Sequence, residues 1–124
     1  MARKQSPALT DAEADVMAVV WRLGQASVGD VVAAMNETRR VTYSTVQTML
    51  RILETKAYVT HEKVARAFIY RPVVDQHQAR RRALRHLVGR LFDGSPSLLV
   101  LNVLEDEDLD ARERERLRKL IERA

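Results

Sequence analysis

The sequence contains no cysteine, and this absence excludes several classes of site. Disulfide bonds, zinc–thiolate centres and thiol catalysis all require a cysteine sulfur. The three histidines, His61, His77 and His86, form no tight cluster with carboxylates, so we expect no metal site. No nucleophile–base triad, carboxylate pair or phosphate-cradling glycine loop is visible either. We therefore predict that the chain is not an enzyme, has no catalytic residues and needs no cofactor.

Long apolar runs are also missing. No segment approaches the roughly 20 apolar residues of a membrane-spanning helix, so we expect no membrane insertion. The N-terminal segment 1–13 carries basic residues but no apolar core of a signal peptide, which favours a cytoplasmic protein. The net charge of +4 over 124 residues is weak support for an anionic partner.

Residues 8–72 have the local signals of three helices followed by a β-hairpin. Thr10 with Glu13 forms a capping box, Ser27 suits the start of a second helix, and Thr42 suits the start of a third that runs to about Thr55. The β-prone segments 58–62 and 67–71 follow, and Pro72 ends the second strand. This order predicts a winged helix-turn-helix domain over residues 1–73, with the helix-turn-helix element at 27–55.

The third predicted helix has an unusual exposed face. Its apolar side follows helical spacing, while Ser44, Gln47, Thr48 and Arg51 recur at the same spacing about half a turn away. In helix-turn-helix proteins such a helix enters the major groove, where hydroxyls, amides and guanidinium groups contact bases and phosphates. A merely solvated helix face is the alternative. The predicted DNA-binding residues are Thr42, Tyr43, Ser44, Thr45, Gln47, Thr48, Arg51, Lys63 and Arg66.

Two of these residues, Lys63 and Arg66, are placed at the tip of the hairpin. A basic loop beside a recognition helix would lie over the sugar-phosphate backbone of duplex DNA, although two solvated turn charges are the alternative. The run Arg80–Arg82 with Arg85 leaves a similar choice between a solvated helix face and an extension of the phosphate-facing surface.

Residues 74–124 predict three further helices, with Ser95 before Pro96 starting the second and Asp110 starting the third. These helices cannot bury their apolar faces within one chain. Residues 97–104 are apolar nearly all round, and a helix of that kind must be buried on most sides. We therefore predict a homodimer, with 74–124 as its dimerisation module. The predicted interface residues are Leu84, Leu87, Val88, Leu91, Leu98, Leu101, Leu117, Leu120 and Ile121. The overall fold class is mainly α with a small β-hairpin.

Four segments resemble the penicillinase-repressor (BlaI/MecI/CopY) family: "LTDAEADVMAVVW" (9–21), "TYSTVQTMLRILETKAYV" (42–59), "RAFIYRPVV" (66–74) and "LVLNVLEDEDLDARERERLRKLI" (99–121). The resemblance spans nearly the whole chain in the right order. It implies a dimeric winged-helix repressor that binds palindromic operators in double-stranded DNA and is relieved by sensor-triggered proteolysis. The family's base contacts fall on Ser44, Thr45 and Thr48, with Tyr43 and Arg51 near the backbone.

The resemblance also implies a cleavage point, at Asn102–Val103, within the dimerisation module. Here Val103 replaces the family's Phe, so a membrane sensor-protease partner is left open, and a packing role for Asn102 is the alternative. Ala57 and the "VAR" of 64–66 replace residues that are often glycine in the family. The absence of cysteine excludes the thiolate copper sensing of one family branch. A winged-helix adaptor that binds proteins rather than a specific DNA sequence is the alternative function.

Overall fold

A computed structural model describes residues 8–124; residues 1–7, on which the expectation of no signal peptide partly depends, lie outside the described part. Six helices and three strands follow one another: α1 (Asp11–Leu23), β1 (Ala26–Ser27), α2 (Val28–Met35), α3 (Tyr43–Thr55), β2 (Val59–Val64), β3 (Ala67–Pro72), α4 (Gln76–Leu91), α5 (Pro96–Leu104) and α6 (Ala111–Arg123). They form two compact units, one ending at Ala83 and one spanning Leu84–Ala124. The division lies inside α4, ten residues later than the boundary placed from sequence.

Local capping signals set the starts of the helices. Thr10 accepts a hydrogen bond from the Glu13 backbone N–H, and Glu13 accepts one from the Thr10 N–H, as the predicted capping box requires. Ser27 and Asp30 form an equivalent box at the start of α2. Thr42 accepts from the Thr45 N–H and so caps α3. The predicted N-caps of these three helices are therefore confirmed.

The core of the first unit lies between α1, α2, α3 and the sheet. α2 and α3 bury the apolar stripes that their sequences predict, with Val31, Val46, Leu50 and Leu53 fully buried. On α1, Val16, Met17 and Val20 are fully buried and Glu13 is buried with them, whereas Leu23 at the end of the helix is 44% exposed. The buried residues of the core are Val16, Met17, Val20, Ala26, Val28, Val31, Met35, Val46, Leu50, Leu53, Tyr58, Val59, Tyr70, Val74 and Ala79.

The sheet has three strands in the order β1-β3-β2, all antiparallel. The hairpin of β2 and β3 is the predicted one, but each strand is longer than expected and the connection shrinks from four residues to a two-residue turn, Ala65–Arg66. Lys63 therefore lies in β2 and pairs with Phe68 across the hairpin. Strand β1 was missed, because two residues are too few to show any periodicity.

The C-terminal end of α3 forms a Schellman motif around Ala57. The Tyr58 N–H donates to the Leu53 carbonyl at 2.9 Å and the Ala57 N–H to the Glu54 carbonyl at 3.0 Å. Ala57 has φ 66° in this motif, and Ala65, first in the hairpin turn, has φ 56°. Both positions therefore have the left-handed backbone that glycine adopts without a steric cost.

We predict that Ala57→Gly and Ala65→Gly each raise the free energy of unfolding by about 0.5–1 kcal/mol. The left-handed backbone costs alanine about 1–2 kcal/mol, which exceeds the extra chain entropy of about 0.5–1 kcal/mol that glycine loses on folding. Urea unfolding followed by the fluorescence of Trp21, the single tryptophan, measures this. As a control, Ala18→Gly on the exposed side of α1 should lower stability by about 1 kcal/mol. Destabilisation by all three substitutions would contradict the prediction.

The second unit keeps much of its apolar surface exposed. Ser95 and Asp110 cap α5 and α6 as predicted, yet neither helix contains a buried residue. Of the nine predicted dimer-interface residues, Val88 is buried in the single chain and Leu117 is half-buried. The seven others are exposed: Leu84, Leu87, Leu91, Leu98, Leu101, Leu120 and Ile121.

Two further observations concern membrane and metal sites. Among residues 8–124 no single helix is long and apolar enough to cross a membrane. Helices α4 and α5 reach the length and apolar composition of a membrane span only when taken together, and they form a sharply bent pair. No group of His, Asp and Glu side chains in the same residues could hold a metal ion.

Candidate nucleic-acid interface

The polar stripe of α3 lies on the outer surface of the first unit. Ser44, Thr48 and Arg51 are exposed and Gln47 is half-buried, while Val46, Leu50 and Leu53 anchor the opposite face in the core. Because the apolar side is fixed, the helix presents its hydroxyls, amide and guanidinium outward in one orientation. The side chains on this surface include donors and acceptors suited to the edges of bases and to phosphates.

A small hydroxyl network forms at the start of α3. The Thr42 and Thr45 hydroxyl oxygens lie 2.8 Å apart, and those of Thr42 and Ser44 lie 3.4 Å apart. Thr42 also caps the helix, so its side chain is already engaged within the chain. The network leaves the Thr48 hydroxyl, one turn further along the exposed face, without a hydrogen-bond partner among residues 8–124.

The hairpin meets α3 at an open cleft of about 290 Å³. Tyr43 and Gln47 line it from α3, and Lys63 and Arg66 line it from the hairpin. Four predicted DNA-binding residues from segments about 20 positions apart thus share one cleft, whose lining includes two basic side chains and no acidic one. Thr42, Ser44, Thr45, Thr48 and Arg51 do not line the cleft and lie elsewhere on the surface of the same helix.

A hydrogen-bond contact and ring contacts of His61 join the hairpin to the body of α3. His61 of β2 places Nδ1 at 2.7 Å and 2.8 Å from the two carboxylate oxygens of Glu54. The His61 ring also packs against Phe68, with centroids 4.7 Å apart, and against Tyr70, at 5.4 Å. Burial raises the pKa of the Tyr70 hydroxyl and the nearby Glu54 carboxylate raises it further, so this ring stays neutral. The contacts fix the cleft wall that carries Lys63.

A buried ion pair holds the far end of α3. Lys56 Nζ donates to Glu13 Oε1 at 2.7 Å and to the Ala8 carbonyl at 3.0 Å, and both charged side chains are 7% exposed. Burial by itself raises the pKa of the Glu13 carboxyl, but the hydrogen bond and charge of Lys56, with the hydrogen bonds from Thr10, outweigh it. The net pKa of Glu13 lies below its ordinary value of 4.5. This pair ties α3 to the start of α1.

Sequence reasoning missed several residues of this surface. Ser27, Val28, Ala67 and Phe68 also line the cleft. Ser27 had been assigned only as a helix cap, and Phe68 only as a strand residue. Their position depends on how β1 pairs with β3, where Ser27 faces Ile69, and no local pattern reveals that pairing.

Comparison with known proteins identifies the family. The sequence model described as penicillinase repressor matches residues 9–123, nearly the whole chain. The chain belongs to the penicillinase repressor family. It is 30% identical over 119 residues to the penicillinase repressor of Bacillus licheniformis, covering 96% of this chain and 93% of that protein. It is 26% identical over 113 residues to the methicillin resistance regulatory protein MecI of Mammaliicoccus sciuri, covering 91% and 92%.

A solved structure of a similar protein supports the same family. The solution structure of the monomeric form of Bacillus licheniformis BlaI in complex with the blaP half-operator matches with a TM-score of 0.51 and 33% identity, over 61% of this chain and 93% of that one. The predicted family and the winged-helix fold class are both confirmed. Penicillinase repressors are transcriptional regulators, so the prediction that the chain is not an enzyme is also confirmed.

Proposed function

We propose that the chain is a sequence-specific DNA-binding repressor that acts as a homodimer on palindromic operators in the cytoplasm. The observation that supports this most directly is the meeting of the polar face of α3 with the basic hairpin at one open cleft. A base-contacting helix flanked by phosphate-contacting basic residues is the arrangement that winged helices use on duplex DNA. Family membership, and the half-operator bound by the similar BlaI structure, point to the same ligand.

The side chains divide by the kind of contact that each could make. Ser44, Thr45, Gln47 and Thr48 lie on the first two turns of α3, from which a recognition helix contacts base edges. Tyr43 and Arg51 lie nearer its two ends, where a hydroxyl and a guanidinium suit the sugar-phosphate backbone. Lys63 and Arg66 supply backbone contacts from the hairpin. Thr42 acts first as a helix cap, so its replacement would change stability as well as binding.

The recognition-helix assignment predicts a loss of specific binding when its hydroxyls are removed. Ser44→Ala with Thr48→Ala should weaken operator binding by roughly 1–3 kcal/mol for each good base contact that is lost. The fold should survive, because both positions lie off the buried stripe. Titration of the operator, selected beforehand from genomic fragments, measures the effect. Thr55→Ala, the same chemical change two turns beyond Thr48, serves as the control and should leave affinity unchanged. If the double variant and the wild type bind the operator with equal affinity, α3 is not the recognition helix.

The wing assignment predicts a loss that does not depend on sequence. Lys63→Ala with Arg66→Ala should weaken binding to all duplexes about equally, because phosphate contacts position the protein on DNA without selecting a base sequence. The slope of log affinity against log salt concentration should fall by the contribution of about two phosphate contacts. Binding isotherms over a range of salt concentrations give the slope. The control variant Arg112→Ala with Lys119→Ala removes two charges from α6 and should keep the slope. A loss confined to one base position would contradict the wing role, and a wild type without any salt-dependent duplex binding would favour the protein-adaptor alternative.

The proposed homodimer rests on the exposed apolar surface of the second unit. Leu91 is 72% exposed and Leu101 is 50% exposed, and α5 buries none of its apolar side chains in one chain. Exposed apolar patches of this kind mark interaction sites. A two-fold arrangement would hold two recognition helices about one DNA turn, or a multiple of it, apart, which matches a palindromic operator.

Relief of repression by proteolysis would act on α5. Asn102 and Val103 lie in the last turns of α5, and both side chains are exposed in the single chain. The Asn102 side-chain amide donates to the Leu98 carbonyl at 2.8 Å, so it already has a partner within its own helix. A cut between these residues would separate α6 from the rest of the module without touching α3. The partner would be an endopeptidase under the control of a membrane sensor.

A further inference from the structure

Two segments of opposite charge remain after the proposed functions have been assigned. Helix α4 carries five arginines and no acidic residue: Arg80, Arg81, Arg82, Arg85 and Arg90. The acidic segment, which we define as Glu105–Asp110, carries five acidic residues and no basic one. Like charges at helical neighbours, such as Arg81 and Arg85, repel one another, so an oppositely charged partner would stabilise each segment.

Several charged side chains of the second unit have no ion-pair partner within one chain. Among residues 8–124, Arg85 and Arg90 form no ion pair or hydrogen bond through their side chains, and the carboxylates of Glu105, Glu107 and Asp108 form none either. Arg114, four residues after the acidic segment, is directed at backbone carbonyls instead: its guanidinium donates to the Leu104 carbonyl at 2.9 Å and to the Leu109 carbonyl at 3.2 Å. Asp106 and Asp110 accept backbone hydrogen bonds within the chain, so the carboxylates of Glu105, Glu107 and Asp108 are the ones left for a partner.

Helix α5 keeps the two charged groups apart in one chain. Its nine residues place the end of α4 and the start of the acidic segment at opposite ends of a helix about 13 Å long. Two copies of α5 that pack side by side about a two-fold axis perpendicular to the helices run antiparallel. In that arrangement the acidic segment of one copy lies beside the end of α4 of the other.

We propose that Arg85 and Arg90 of each protomer pair with the acidic segment of the second copy, so that the dimer is closed by two symmetric ion-pair clusters around an apolar centre. On α4 these arginines flank the exposed stripe of Leu84, Leu87 and Leu91, which gives the apolar core and charged rim of a protein interface. Arg82 serves a different role, because its guanidinium lies 5.4 Å from the centre of the Tyr58 ring. The inference rests on the proposed homodimer and specifies its chemistry.

Charge reversal on the full-length chain tests the pairing. Arg85→Glu with Arg90→Glu, and separately Glu105→Lys with Glu107→Lys and Asp108→Lys, should each weaken the dimer at least about tenfold, because attraction is replaced by repulsion at both symmetric sites. Analytical ultracentrifugation gives the dissociation constants. The loss should shrink as NaCl is raised. The control Arg112→Glu with Lys119→Glu makes the same change in net charge as the arginine reversal, but on the polar face of α6. It should leave the dimer unchanged.

Mixing the two reversed chains distinguishes pairing between protomers from pairing within one. Each homodimer of a reversed chain is repulsive, whereas their heterodimer is complementary at both sites, so native mass spectrometry should show mainly heterodimer. Placing both reversals in one chain should restore the homodimer. A tight wild-type dimer that neither reversal weakens would overturn the proposal. So would an arginine reversal that weakens binding to duplex DNA but leaves the dimer intact, because Arg85 and Arg90 would then be DNA-contacting residues. A wild type that stays monomeric would instead sink the homodimer itself.

Discussion

Replacing Lys56 by methionine is expected to lower the free energy of unfolding by about 3–5 kcal/mol at neutral pH. Methionine has a similar length, but it leaves the Glu13 carboxylate buried without its partner 2.7 Å away, and an uncompensated buried charge is strongly destabilising. Urea unfolding followed by Trp21 fluorescence reports on this unit, because the indole N–H donates to the Val74 carbonyl at 2.9 Å. Arg39→Met, which removes an exposed ion pair with Asp15, should cost under 1 kcal/mol.

The pH dependence of the same variant gives an independent check. The pKa of Glu13 is depressed in the folded wild type, so its contribution to stability is complete above pH 4.5 and is lost as the pH falls through the folded pKa. Without Lys56, burial is opposed only by the hydrogen bonds from Thr10, so the pKa of Glu13 rises relative to the wild type and the variant should lose less stability than the wild type as the pH falls. Glu13→Gln combined with Lys56→Met should recover part of the loss. A variant as stable as the wild type from pH 4 to pH 8 would show that the pair contributes nothing.

Ending the chain at Asn102 is expected to lower apparent operator affinity by about 10²–10⁴. The fragment 1–102 lacks α6 and the end of α5, so two half-sites would no longer be bound by one tethered dimer. Light scattering and operator titration measure the two effects together. A half-operator duplex is the matched control, and the fragment and the full chain should bind it alike, because the cleft and α3 are intact. A fragment that stays a tight dimer with full operator affinity would contradict relief of repression by cleavage at Asn102–Val103. Asn102 would then be a packing residue.

Local chemistry allowed much of the fold to be predicted. Thr10 with Glu13, Ser95 before Pro96, and Asp110 each determine a helix start within four residues, so the sequence alone located them. The polar stripe of α3 was equally accessible, because helical spacing places Ser44, Thr48 and Arg51 on one face regardless of what packs behind them. The order of these local signals along the chain predicted the winged helix, and the family resemblance agreed with it.

The features that sequence reasoning missed are those that depend on distant residues. Glu13 was assigned only its capping role, since its partner Lys56 is 43 positions away. Strand β1 exists because β3 offers an unpaired edge at Tyr70 and Ile69, and nothing in Ala26–Ser27 predicts it. The boundary predicted after residue 73 lies ten residues before the division of the compact units, because Pro72 ends a strand whereas α4 continues across that division. The residues that share the cleft could not be listed before the hairpin register was known.

The shortness of α5 has a kinetic consequence. A helix of nine residues without a buried side chain is marginal in water, so in a free protomer it should open and close many times before the rest of the chain unfolds. Endopeptidases cut transiently opened backbone, and their rate then follows the open fraction. Burial of α5 against a second copy would suppress that fraction, so the lifetime of the Asn102–Val103 bond would depend on protein concentration. Dilution alone would make the newly dissociated repressor the preferred substrate, while assembled copies on DNA would be cut last.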